Sequence, residues 1–121
     1  MAETKKTGTG LEPNVAALLA YLFGWVGGLI FVLIEKDNKF VRFHAIQSII
    51  LNIAIAAIWI GLMILIPIFA VITGGIGAII GLLTPVVWIG FLIVWIMAMV
   101  KAYQNEEWEI PVIGKMARKY V

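Results

Sequence analysis

Residues Ala45 to Val100 read AIQSIILNIAIAAIWIGLMILIPIFAVITGGIGAIIGLLTPVVWIGFLIVWIMAMV, 56 residues without an Asp, Glu, Lys, Arg or His. As a helix rising about 1.5 Å per residue, this stretch is more than twice as long as the ~30 Å hydrocarbon core of a bilayer is thick. A second uncharged run, Val15 to Ile34, has 20 residues and is also long enough to cross. Backbone placed in lipid must pair its own N–H and C=O groups, which a helix does within one segment. The expected fold is all-α: an integral membrane bundle of three transmembrane helices.

Composition agrees. With 63% apolar and 13% charged residues and a mean hydropathy of +1.05, the chain lies outside the range of a soluble domain of 121 residues. That length holds one domain. The absence of cysteine excludes disulfides, thiolate catalysis and thiolate metal sites. Nine basic residues give a net charge of only +2 and all lie outside the apolar runs. No basic segment interleaved with aromatics is present to follow a phosphate backbone, so the expected partners are membrane lipids and not nucleic acid. Lys5 and Lys6 precede an apolar stretch longer than a signal-peptide core, and Glu35-Lys36-Asp37 follows it in place of a cleavage site. It reads as a retained first span.

The long run must turn at least once, and one turn is the economical choice. Spans are expected at about 14–34, 40–70 and 78–103, between a flexible tail over 1–13 and an interfacial tail over 104–121. Asn38 is placed to cap the second span, and Pro67 to end or kink it. Thr84 as a cap with Pro85 at the first helical position gives the third a start. Ile68 to Leu83 then forms an apolar connector: a re-entrant piece, a break packed inside the bundle, or extra helix on both sides. Three spans put Lys36, Lys39, Arg42, Lys101, Lys115, Arg118 and Lys119 on one side and Lys5 and Lys6 on the other. The positive-inside rule then predicts a multi-pass cell-membrane protein with its amino terminus outside and its carboxyl terminus in the cytoplasm.

Within the first span Ala20, Gly24 and Gly28 recur at four-residue steps, a ridge of small residues for close helix packing. Within the second, Ser48, Asn52 and Ala56 share a line with Gln47 beside it, while Ala57 and Gly61 form another. Amides at this depth seek partners on other helices or line a polar conduit. In the tail, Pro111 can open a short helix with Val112, Ile113, Met116, Ala117 and Tyr120 on one face and Lys115, Arg118 and Lys119 on the other. That is a strip for the membrane interface, or a tail folded against the loop between the first two spans.

The chain has one His, one Ser and one Asp: His44, Ser48 and Asp37. They make a triad by inventory alone, because Asp37 precedes the helix that would hold the other two and no oxyanion hole is indicated. One His and no Cys cannot build a tetrahedral nitrogen/sulfur metal site. No cofactor motif is present, and the spans lack the ionisable group that proton-coupled transport needs. No catalytic, cofactor or metal residue is assigned.

Three stretches carry a resemblance: Asn14-Val15-Ala16-Ala17-Leu18-Leu19-Ala20-Tyr21-Leu22-Phe23-Gly24-Trp25, Phe40-Val41-Arg42-Phe43-His44-Ala45-Ile46-Gln47-Ser48, and Lys101-Ala102-Tyr103 with Ile110-Pro111-Val112-Ile113-Gly114. Together they resemble a widespread family of small archaeal and bacterial membrane proteins of unknown function. That family is grouped with the Tic-twenty subunit of the chloroplast import translocon and with magnetosome membrane proteins of the MamF type. The resemblance implies three helical spans and self-assembly. The expected function is non-enzymatic: association with further copies or with a membrane-protein partner, in protein translocation or membrane organisation. Its candidate contact surface is Arg42, Phe43, His44, Gln47, Ser48 and Asn52 with Trp108, Pro111 and Gly114 of the tail. The alternative is an oligomeric transporter or pore lined by Gln47, Ser48 and Asn52.

Overall fold

The computed structural model describes residues 10–121, so most of the expected flexible tail lies outside the described residues. All regular structure among the described residues is helical: α1 (Pro13–Leu22), α2 (Gly24–Ile34), α3 (Lys39–Ile72), a 3-10 segment (Ile76–Leu82), α4 (Leu83–Tyr103) and α5 (Ile113–Arg118). α3, and α4 together with the 3-10 segment, are long and apolar enough to cross a membrane.

The first apolar run does not form the single continuous helix expected of a first span. It breaks at Phe23-Gly24, where Gly24 takes a φ of +64° that other residues adopt only with strain. The resulting helices of 10 and 11 residues are each about 15 Å long, half the hydrocarbon thickness. α2 doubles back on α1, and a Cβ added at Gly27 would lie 2.7 Å from the Leu19 carbonyl oxygen. Gly24 therefore serves as the corner of a helical hairpin, and no continuous ridge runs from Ala20 through Gly24 to Gly28.

Neighbouring bonds fix the direction of each arm. Trp95 Nε1 donates to the Tyr21 carbonyl (2.8 Å) and Asn14 Nδ2 to that of Tyr103 (3.0 Å), so α1 runs antiparallel to α4. Ser48 reaches the Gly24 carbonyl while Arg42 reaches that of Val32, so α2 runs antiparallel to α3. Both ends of the hairpin lie at the end of the molecule that holds the α4 terminus and the tail. The sequence had placed the start and finish of the chain on opposite faces; the structure brings Asn14 to Tyr103.

α3 starts as expected, with Asn38 Oδ1 accepting the Val41 amide at 3.2 Å. Pro67 does not stop it. The helix runs on to Ile72, the missing hydrogen bond being tolerable in a helix otherwise free of breaks. A turn at 73–75 leads into the 3-10 segment, which merges with α4, so the connector is extra helix on both sides. Thr84 makes no cap bond, because the chain is already helical when it reaches α4.

The core occupies only the charged end. α1 buries Pro13, Ala16, Ala17, Ala20 and Tyr21, a single stripe, against a nearly continuous buried stretch from Phe40 to Ser48 on α3. Ala98, Ala102 and Ile110 complete it. Beyond Asn52 the two long helices stand exposed, joined across their gap by Trp59 and Trp88 with ring centroids 5.2 Å apart.

Gly28 marks a close contact between α2 and α3, since a Cβ there would lie 2.7 Å from the Ala45 carbonyl, whereas one at Gly61 would meet nothing within 4 Å. Gly28→Val is therefore expected to cost about 1–3 kcal/mol by overpacking, read as a lower melting temperature in detergent, and Gly61→Ala less than about 0.5 kcal/mol.

Candidate functional site

The first turns of α3 present Arg42 on one side and His44, Gln47 and Ser48 on another, and each of these side chains pairs with backbone of another segment. Arg42 Nη1 donates to the carbonyls of Val32 and Glu35, both at 3.0 Å, closing the C-terminal end of α2. Ser48 Oγ donates to the carbonyl of Ala20 (2.8 Å) and lies 3.2 Å from that of Gly24, at the hairpin corner. The Trp95 indole takes the Tyr21 carbonyl between them. The carbonyls of Ala20, Tyr21, Val32 and Glu35 are ones that a helix C-terminal end leaves open, and within a membrane no water would pair them.

His44 and Gln47 hold the tail. His44 Nε2 lies 2.9 Å from the Glu106 carbonyl, which can only accept, so that nitrogen carries the proton and Nδ1 receives the Tyr21 hydroxyl at 2.7 Å. Gln47 Nε2 donates to the Tyr21 oxygen (2.6 Å) and the Trp108 carbonyl (3.0 Å), while its Oε1 accepts the Ile110 amide (2.9 Å). Residues 106–110 thus lie on α3 as an extended strap. Among the described residues no buried side-chain nitrogen or oxygen lacks a partner. Phe40 and Phe43 pack edge-on against the His44 ring, with centroids 4.7 and 5.1 Å away.

After Pro111 and Val112 the chain turns into α5. Gly114 is needed there because a Cβ would collide with Glu109 and come within 2.8 Å of Gln47 Oε1. Ala117 packs beside Phe43, and Arg118 lies over the Phe43 ring at 4.1 Å while bonding Glu107 and Glu109. Partial burial opposes the charge on Arg118, but the Glu109 and Glu107 carboxylates outweigh it and raise its pKa above the ordinary value. The five-residue apolar face expected of this tail is divided: Ala117 is buried, whereas Val112, Met116 and Tyr120 are exposed.

The structure thus gathers Arg42, Phe43, His44, Gln47, Ser48, Trp108 and Gly114 in one place, but as an interior junction. Phe43, His44, Gln47 and Ser48 have no exposed area, which corrects their reading as a contact surface. Asn52 stands apart, bonding only its own helix at the Ser48 carbonyl (2.8 Å), and Pro111 is exposed. Gln47 and Ser48, turned inward and paired, cannot line a conduit. Sequence reading missed Tyr21 and Trp95; their signal was an aromatic ring with a polar handle inside an apolar run. Among the described residues no group of three His, Cys, Asp or Glu could hold a metal.

Residues 8–117 match the model of the magnetosome magnetite crystal formation protein family. The chain belongs to that family. It is also 42% identical over 115 residues to a UPF0132 membrane protein of Methanocaldococcus jannaschii, covering 95% of this chain and 94% of the relative. A UPF0132 membrane protein of Archaeoglobus fulgidus is 36% identical over 113 residues, 92% of this chain and 97% of its own length. The archaeal and magnetosome arms of the resemblance are thereby shown, for a small family of membrane proteins. No solved structure matches the chain.

Because Gln47 serves the tail and Tyr21 together, Gln47→Leu is expected to destabilise by roughly 3 kcal/mol, leaving the Trp108 carbonyl and the Ile110 amide unpaired. Hydrogen exchange at Ile110 should speed up accordingly. Ser48→Ala should cost about 1–2 kcal/mol, and Asn52→Leu less than either, as read from detergent melting curves.

Proposed function

We propose that this protein is a non-enzymatic membrane component, with two crossings and one re-entrant hairpin, that acts by association with further copies of itself or with a membrane-protein partner. Protein translocation and membrane organisation are the processes such a component serves. The observation that carries this reading is the complete engagement of His44, Gln47 and Ser48 with backbone partners inside the chain. The residues with chemical capacity are structural, and what remains outward is helix surface and a charged end. On that helix surface Ala57 and Gly61, one turn apart on α3, leave room for the close backbone approach on which association in lipid depends.

Charge supports an orientation for this arrangement. All seven Lys and Arg residues from Lys36 onward lie at the end where Asn14 meets Tyr103. The opposite end, Thr73 to Leu83, carries no charge. By the positive-inside rule the end that holds Asn14 and the C-terminal tail faces the cytoplasm in this reading, whereas three spans would put Asn14 outside. Exposed Lys36, Lys39, Lys115 and Lys119 at that end would meet anionic head groups.

Two measurements test this reading. Gly10→Cys and Lys119→Cys, introduced singly into the cysteine-free chain, should label from the same membrane face; labelling from opposite faces overturns the topology. In lipid nanodiscs the assembly should weigh a multiple of 13.3 kDa or carry a second protein, and Gly61→Leu should lower it to one chain. A wild-type protein that remains a lone chain overturns the association.

A further inference from the structure

A cleft of about 510 Å³ opens between α3 and α4 just beyond the hairpin corner, walled by Trp25, Trp59, Trp88 and Phe91 with Asn52 among its lining residues. Trp88 stands between the other two helix-borne rings, its centroid 5.2 Å from that of Trp59 and 6.2 Å from that of Phe91. Asn52 lies ten residues beyond Arg42, about 15 Å along the helix and so near the middle of the hydrocarbon.

The polar atoms here differ from those of the junction below. The Trp95 indole has the Tyr21 carbonyl, but those of Trp25, Trp59 and Trp88 have no acceptor among the described residues, and Asn52 Oδ1 has no donor. None of these atoms is sealed inside protein. At mid-membrane depth water is absent and an unpaired donor is costly, so the partner must be whatever enters the cleft. Ester carbonyls of phospholipids lie at the edges of the core and do not reach it. A molecule that does is a flat ring bearing carbonyl oxygens on an apolar tail.

We infer that this cleft binds the head ring of an isoprenoid quinone. The ring stacks among the aromatic walls, its carbonyl oxygens accept from the indoles, and the hydroxyl of the quinol form donates to Asn52 Oδ1. An adjoining cleft of about 310 Å³ shares Trp25, Asn52 and Ala56 and adds Ile49 and Ile53, an apolar path for the tail.

The test uses the full chain in phosphatidylcholine nanodiscs, titrated with decylubiquinone and read by native mass spectrometry. One saturable adduct per chain is expected. The double variant Trp59→Phe with Trp88→Phe should weaken binding of decylubiquinone at least ten-fold, and Asn52→Leu should weaken binding of the reduced form, decylubiquinol, at least ten-fold, with both variants still folded by their melting curves. The double variant keeps an aromatic ring at each position while removing the indole N–H with its five-membered ring, so it still tests the site if Asn52→Leu fails to fold. Absence of a saturable adduct, retention of a phospholipid in its place, equal binding by wild type and the double variant, or a dimer that takes up no quinone would each overturn the assignment.

Discussion

A helix end leaves carbonyl groups unpaired, at a cost wherever water is excluded, and the charged half of this molecule is arranged around meeting that need. The α1–α2 corner opens the carbonyls of Ala20 and Tyr21, and Ser48 and Trp95 supply the donors. The end of α2 opens those of Val32 and Glu35, and Arg42 supplies theirs. The tail has no ladder of its own, and His44 and Gln47 stand in for one. The first turns of α3 are thus the template on which three otherwise incomplete segments are laid.

This explains why His44 and Ser48, one turn apart, do not form a hydrolytic pair. Both His44 nitrogens are engaged, one with Tyr21 and the other with the Glu106 carbonyl, and the Ser48 hydroxyl faces carbonyl oxygens of the hairpin. Asp37 is exposed in the loop before α3. The same side chains that suggest chemistry in an inventory are consumed by architecture in space.

Much of the fold could be read from the residues, and what could not has definite causes. The long run divides once, near Thr73-Gly74-Gly75, and Asn38 caps α3, both marked by residue type. The break at Gly24 lies in a run that satisfies every test of length and apolarity, because hydropathy does not register a left-handed φ. The local hint was the crowding of Gly24, Gly27 and Gly28 after a stripe that ends at Tyr21. At the junction, the spacing of His44, Gln47 and Ser48 places them on one face of a helix. Their partners, however, are main-chain groups of distant segments, which leave no mark in side-chain sequence. Pro67 misleads for the opposite reason, since its effect on a helix depends on surroundings that the sequence does not display.

Confinement of the core to one end has a mechanical consequence. Near the charged end the cross-section contains both hairpin arms, both long helices and the packed tail; toward the turn at 73–75 it contains only α3 and its antiparallel neighbour. The described residues form a wedge. In the membrane placement proposed above it would take more area from one leaflet than from the other, and copies gathered as proposed would relieve that imbalance by bending the bilayer, convex on the side where the basic residues lie.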